Sequence, residues 1–162
     1  MAQARNTDEH TMKRAHVVVG GFPAGASAGH DLDYVRLRLL EMLSETGRYS
    51  VTVSNDFVDL ERWLPGCSVL VTYVAGPYPD AGQCTALDAW LTAGGRWLAL
   101  HGTSGGKAAK VEGSWNRRMV KLDHHASLGC FFLNHPPVRK FSVGVAAHAL
   151  TEGLPESFEI SD

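Results

Sequence analysis

The 162-residue chain has few cysteines, no excess of either charge and no long apolar run. Its three cysteines, Cys67, Cys84 and Cys130, are far apart and form no C-x-x-C pair. An odd, scattered set excludes a disulfide framework and a zinc ribbon, and makes buried, reduced thiols in a cytoplasmic protein the expectation. A net charge of −2 gives no reason to expect nucleic acid or an anionic membrane as partner. No run approaches the ~20 apolar residues that span a bilayer. Residues 1–14 are polar and mixed in charge; they lack the apolar stretch of a secretory signal and read as a loose tail. Internal repeats are missing, as are the G-x-G-x-x-G and H-E-x-x-H patterns of dinucleotide and zinc-protease sites.

What is present fits one domain over residues 15–162, long enough to bury roughly 70% of its unfolded surface without a metal or disulfide. Apolar runs and helical stripes alternate. Ala15 to Val19, Tyr49 to Val53, Ser68 to Val74 and Trp97 to Leu100 read as strands. Between them, Leu32, Val35, Leu39, Met42 and Leu43 form one stripe of a helix, Asp56 to Leu64 a short second helix, and Asp80 to Ala93 a third. The third places Cys84 on a core face. Lys107 to Val111 is expected to start a further helix. With right-handed crossovers the pattern predicts an α/β fold of three α/β/α layers on a parallel, flavodoxin-like sheet.

The chain is organised around Arg96 to Lys107. Trp97 to Leu100 is uninterrupted, which predicts a strand buried on both faces. His101 follows, then Gly102, Thr103, Ser104, Gly105 and Gly106. Ligands of open α/β sheets sit beyond the carboxyl ends of the strands, so His101 with the hydroxyls and amides of this turn is the leading candidate site. An ordinary strand-to-helix turn with a solvated histidine would read the same way. The glycine-rich loop after the first strand ends at His30-Asp31, where Asp31 suits either helix capping or the ligand loop. Beyond Val111, Lys107, Lys110, Arg117, Arg118 and Lys121 make a basic band that reads as a solvated face. Asp123-His124-His125 is a dense polar cluster, and Asn134-His135-Pro136-Pro137 marks a loop. Lys140 to Val145 alternates like a late strand. Phe158 to Asp162 shows no closing element.

Several stretches in order resemble the ThuA-like family, named for trehalose utilisation. They are His30-Asp31, Gly76-Pro77-Tyr78, Trp90 to Gly95, Leu98 to Ser104, Leu128 to Phe132, Asn134 to Pro137 and Gly153 to Phe158. The resemblance implies a fold like that of class I glutamine amidotransferases. It also implies a sugar-like ligand, trehalose or a related glycoside or keto-sugar. Two features depart from the family pattern: Ala149, not proline, follows His148, and the chain ends at Asp162, where family members continue. A shortened form of the domain is therefore the expectation.

Three functions remain open. The first is an enzyme or enzyme subunit acting on carbohydrate, with His101, His30 and His135 as acid–base groups and Asp31, Gly102, Thr103, Ser104 and Asn134 binding substrate. The turn has no cysteine nucleophile, and Ser104 is better placed to hydrogen-bond a ligand or the turn itself than to attack. The second is a metal centre using His101, His124, His125, His135 and His30. The third is a non-catalytic module that binds a ligand or partner, with an exposed apolar patch and self-association as its marks. The residues leave the identity of any cofactor open.

Overall fold

Val17, Val18 and Val19 are fully buried at the centre of strand β1 (Lys13–Gly20). A computed structural model describes residues 12–21, 31–115, 117–133 and 137–161. Strand β1 lies between β2 (Tyr49–Ser54) and β3 (Cys67–Val74), and β4 (Arg96–Leu100) pairs with the far side of β3, all parallel. The order β2-β1-β3-β4 is flavodoxin-like and puts the topological switch point between β1 and β3.

Consecutive strand residues face opposite ways, so the valine run feeds two cores. On one face Val17, Val19 and Val71 receive Leu32, Val35, Leu39 and Leu43 of helix α1 (Leu32–Glu45). On the other, Val18, Leu70 and Val74 meet Phe57, Leu60 and Leu64 around the short helix α2 (Leu60–Trp63), and Leu87 and Trp90 of α3 (Ala81–Thr92). The three-layer α/β/α fold expected from the sequence is present. Its helix starts are set chemically. Asp31 accepts the Tyr34 amide at 2.8 Å, while Asp80 and Gln83 exchange hydrogen bonds of 2.9 Å in a capping box.

Several expectations are corrected. The first strand begins at Lys13, inside the stretch read as a tail, because Lys13 and Arg14 pair with Tyr49 and Ser50. The second helix is a single turn, Leu60–Trp63. Strand β4 is not buried on both faces. Among the described residues it is the sheet edge, and Leu98 is 53% exposed. No helix starts at Lys107. Instead β5 (Lys107–Lys110) pairs antiparallel with β6 (Arg117–Val120), since the six residues between Gly106 and Gly113 are too few for a stable helix and cross-strand pairing wins. The basic band thus lies on an exposed ribbon.

After a short helix α4 (His124–Leu128), β7 (Lys140–Gly144) is joined by β8 (Ser157–Ser161), so a closing element does exist at residues read as having none. Cys67 and Cys84 are buried and free, but Cys130 is exposed, contrary to the expectation of three buried thiols. No helix among the described residues is long and apolar enough to cross a membrane.

Candidate functional site at the carboxyl ends of β1, β3 and β4

Strands β1, β3 and β4 end side by side at Gly20, Val74 and Leu100. The first two ends are drawn together by a hydrogen bond from the Ala75 amide to Gly20 O, 3.1 Å. Gly21 sits at φ 126°, and a Cβ there would stand 2.2 Å from Gly76 O, so only glycine allows this approach. Behind β4 the same logic applies at Gly102, where a Cβ would lie 2.4 Å from Val74 O.

Between these contacts the chain turns at His101, the first residue of a single 3-10 turn, His101–Ser104. His101 has φ 45° and is the one non-glycine with positive φ among the described residues. Such a conformation is strained and persists where surrounding structure over-determines it, typically at functional sites. Its imidazole is exposed and stacks on Tyr73 of β3, with ring centroids 5.3 Å apart and planes 14° apart. Tyr73 packs on the α1 side of the sheet. Burial raises its phenol above the ordinary value, so it stays a hydroxyl.

The opposite side of the turn is clamped. Tyr78 donates its hydroxyl to Gly102 O at 3.2 Å. His124 Nε2 lies 3.1 Å from Thr103 O, and His125 Nε2 lies 3.1 Å from Ser104 O and 2.9 Å from Gly105 O. Carbonyls only accept, so each Nε2 carries the proton; these tautomers are assigned from the partners. Both imidazoles are almost wholly buried. Burial first, then the neighbouring His125, holds the His124 pKa below its ordinary value.

The residues expected to form a site are distributed as follows. His101, Gly102, Thr103 and Ser104 share the turn. Thr103 is fully buried, which turns its hydroxyl inward, and its Oγ1 has no partner among the described residues. Ser104 Oγ donates to His101 O at 3.0 Å and so is engaged within the turn. Asp31 caps α1, and it does so at the same end of the sheet, since α1 runs from there back to the start of β2. His30, Asn134 and His135 lie outside the described residues. His124 and His125 were candidate metal ligands in one of the three open readings. Their Nε2 atoms are instead taken up by backbone carbonyls, and the described residues hold no group of three His, Cys, Asp or Glu able to bind a metal.

Tyr73 and Arg36 were not anticipated. Arg36 reaches Val19 O at 2.8 Å and Asn55 Oδ1 at 3.0 Å, and also pairs with Asp33, tying α1 to the end of β1. A lone arginine on the apolar side of a helical stripe is the signal that points to it.

No protein-family model and no curated protein matches the chain. Among solved structures, a crystal structure of a protein from Bacteroides uniformis, named as ThuA-like, superposes with a TM-score of 0.66 over 99% of this chain at 18% identity. The chain spans 62% of the length of that protein. At this identity the likeness shows a shared fold: the architecture is that of a ThuA-like protein.

Proposed function

We propose that the chain from Lys13 onward forms a ThuA-like domain that serves carbohydrate utilisation and binds trehalose, or a related glycoside or keto-sugar, around His101. The observation that carries this reading is the strained, exposed His101 at the carboxyl end of β4, beside the switch point and stacked on Tyr73. An imidazole held there can donate to, or accept from, a sugar hydroxyl and can move a proton near neutral pH. The Tyr73–His101 ring pair gives a sugar ring an apolar surface to lie against. His30, His135 and Asn134 belong to the proposal as groups that would approach from neighbouring loops, and Asp31 as a cap that also borders the site.

Thermal unfolding with and without trehalose tests this. A ligand at ~100 times its Kd adds about 2.7 kcal/mol, a rise of several degrees at roughly 2–4 °C per kcal/mol. A rise that disappears in His101→Ala supports the reading. A transition that trehalose, other disaccharides and keto-sugars all leave unmoved would sink it.

A second reading, a non-catalytic module that binds a partner, is favoured by one observation. In the β7–β8 pair, Phe141 faces Ile160 and Val143 faces Phe158, so one side of the hairpin is wholly apolar. Phe141, Phe158 and Ile160 are each more than a third exposed. An uncovered face of this kind marks an interaction surface.

A further inference from the structure

We propose that His124 and His125 are the positioning residues of the site: by donating their Nε2–H groups to the carbonyls of Thr103, Ser104 and Gly105, they hold the turn that keeps His101 in its left-handed conformation. The inference rests on the proposed sugar site only for what the turn is held to do.

Four observations lead to it. First, the turn's own hydrogen bonds, Ser104 Oγ to His101 O at 3.0 Å and Gly105 N to Gly102 O at 2.9 Å, are local and would serve an ordinary turn equally well. A left-handed non-glycine needs outside restraint. Second, that restraint is at hand. The carbonyls of Gly102, Thr103, Ser104 and Gly105 all accept from side chains of Tyr78, His124 and His125. The Phe132 amide adds a further bond to Ser104 O at 2.8 Å.

Third, the imidazoles cannot easily swing away. Tyr78 stacks on His124 at 5.1 Å, His124 lies 3.9 Å from His125 between centroids, and Phe131 meets His125 edge-on at 4.7 Å. Fourth, the far nitrogen of His125 is also engaged. Its Nδ1 accepts the Leu122 amide at 2.8 Å. Leu122 O, 3.0 Å from the same nitrogen, already accepts the backbone amide of His125. Burying two imidazoles in a small domain is costly unless their polar atoms are paired. Here both Nε2–H groups are spent on one backbone turn, while His124 Nδ1 has no partner among the described residues.

The test begins on the unmodified chain. A long-range proton–nitrogen correlation spectrum is expected to show both rings carrying hydrogen on Nε2, and a proton on Nδ1 alone in either ring overturns the proposal. Next, the Cα and Cβ shifts of His101, which report its left-handed backbone, are followed in variants. His125→Gln places an amide donor where Nε2 stood and is expected to keep the His101 shifts. His125→Leu is expected to move them toward ordinary backbone values and to weaken trehalose binding roughly tenfold or more, the size expected for losing buried hydrogen bonds.

A His125→Leu chain that still unfolds cooperatively with unchanged His101 shifts overturns the proposal. Should that variant not fold, His125→Asn replaces it, because its amide is one methylene too short to reach the carbonyls. Gln keeping and Asn losing the shifts supports positioning, and identical shifts in both refute it. If the unmodified chain binds neither trehalose nor any other disaccharide or keto-sugar, the sugar reading falls, while the His101 shifts still decide the role of the pair.

Discussion

His16 shows how a single buried ring couples this fold to pH. It sits in β1 with 1% exposure, its Nδ1 2.7 Å from Thr52 Oγ1, stacked on Trp63, and its Nε2 has no partner among the described residues. Burial first, and Arg14 second, lower its pKa from 6.5 to about 4. Between those values the unfolded chain binds a proton that the folded chain refuses. Stability is therefore full above pH 6.5 and falls as the pH drops toward about 4, by up to about 3 kcal/mol. Urea midpoints across this range should fall in the native chain and stay flatter in His16→Gln; parallel curves would refute the assignment.

His101 carries the opposite kind of residue effect. Replacing it with glycine removes the left-handed strain, so His101→Gly is expected to be as stable as the native chain or more so, by up to about 1 kcal/mol. It should at the same time lose the trehalose response. A clear drop in Tm would mean that the Tyr73 stack outweighs the strain.

At the scale of elements, Asp31 can be divided into its two possible roles. Its carboxylate caps α1 through the Tyr34 amide. Asparagine caps equally well, whereas alanine forfeits about 1 kcal/mol. Asp31→Asn should thus match the native urea midpoint and Asp31→Ala should not. If Asp31→Asn nevertheless abolishes the trehalose response, the negative charge serves the ligand as well as the helix.

The connection from β4 makes a second element-scale prediction. Gly102→Ala forces a methyl to within 2.4 Å of the Val74 carbonyl, a backbone atom with no room to give. A cost of ~2 kcal/mol or more follows, read as a lower denaturant midpoint; an unchanged midpoint would show that the turn is looser than its geometry.

For the whole molecule, the parallel sheet and the β7–β8 hairpin differ in how they are covered. The sheet is sandwiched between α1 and the α2–α3 layer, whereas β7 and β8 have their main contacts with each other. A two-stranded hairpin gains little by itself in water. A double variant, Phe141→Ser with Phe158→Ser, should therefore leave the main thermal transition nearly in place. It should also reduce binding of an apolar dye and any self-association seen in ultracentrifugation. A large fall in Tm would show that the hairpin is integral to the sheet.

Local pattern alone was enough to determine the parallel α/β core of this protein. Valine runs, helical stripes and the capping residues Asp31 and Asp80 act through neighbours in sequence and through burial, and those survive without knowledge of the fold. The same logic identified the turn at His101 as the end of a strand. It could not show that His101 is left-handed, that the Thr103 hydroxyl faces inward, or that Tyr73 lies beside the imidazole, because each depends on a strand or loop distant in the chain. It also misjudged Lys107 to Val111, where the partner strand across the ribbon outweighed helix propensity, and Trp97 to Leu100, where an apolar run proved to be an edge. Above all, two adjacent histidines read as potential metal ligands until tertiary packing brought the carbonyls of residues 103–105 to their Nε2 atoms. A hydrogen bond spanning twenty residues leaves no periodicity in the sequence, so only the folded chain could decide what those histidines hold.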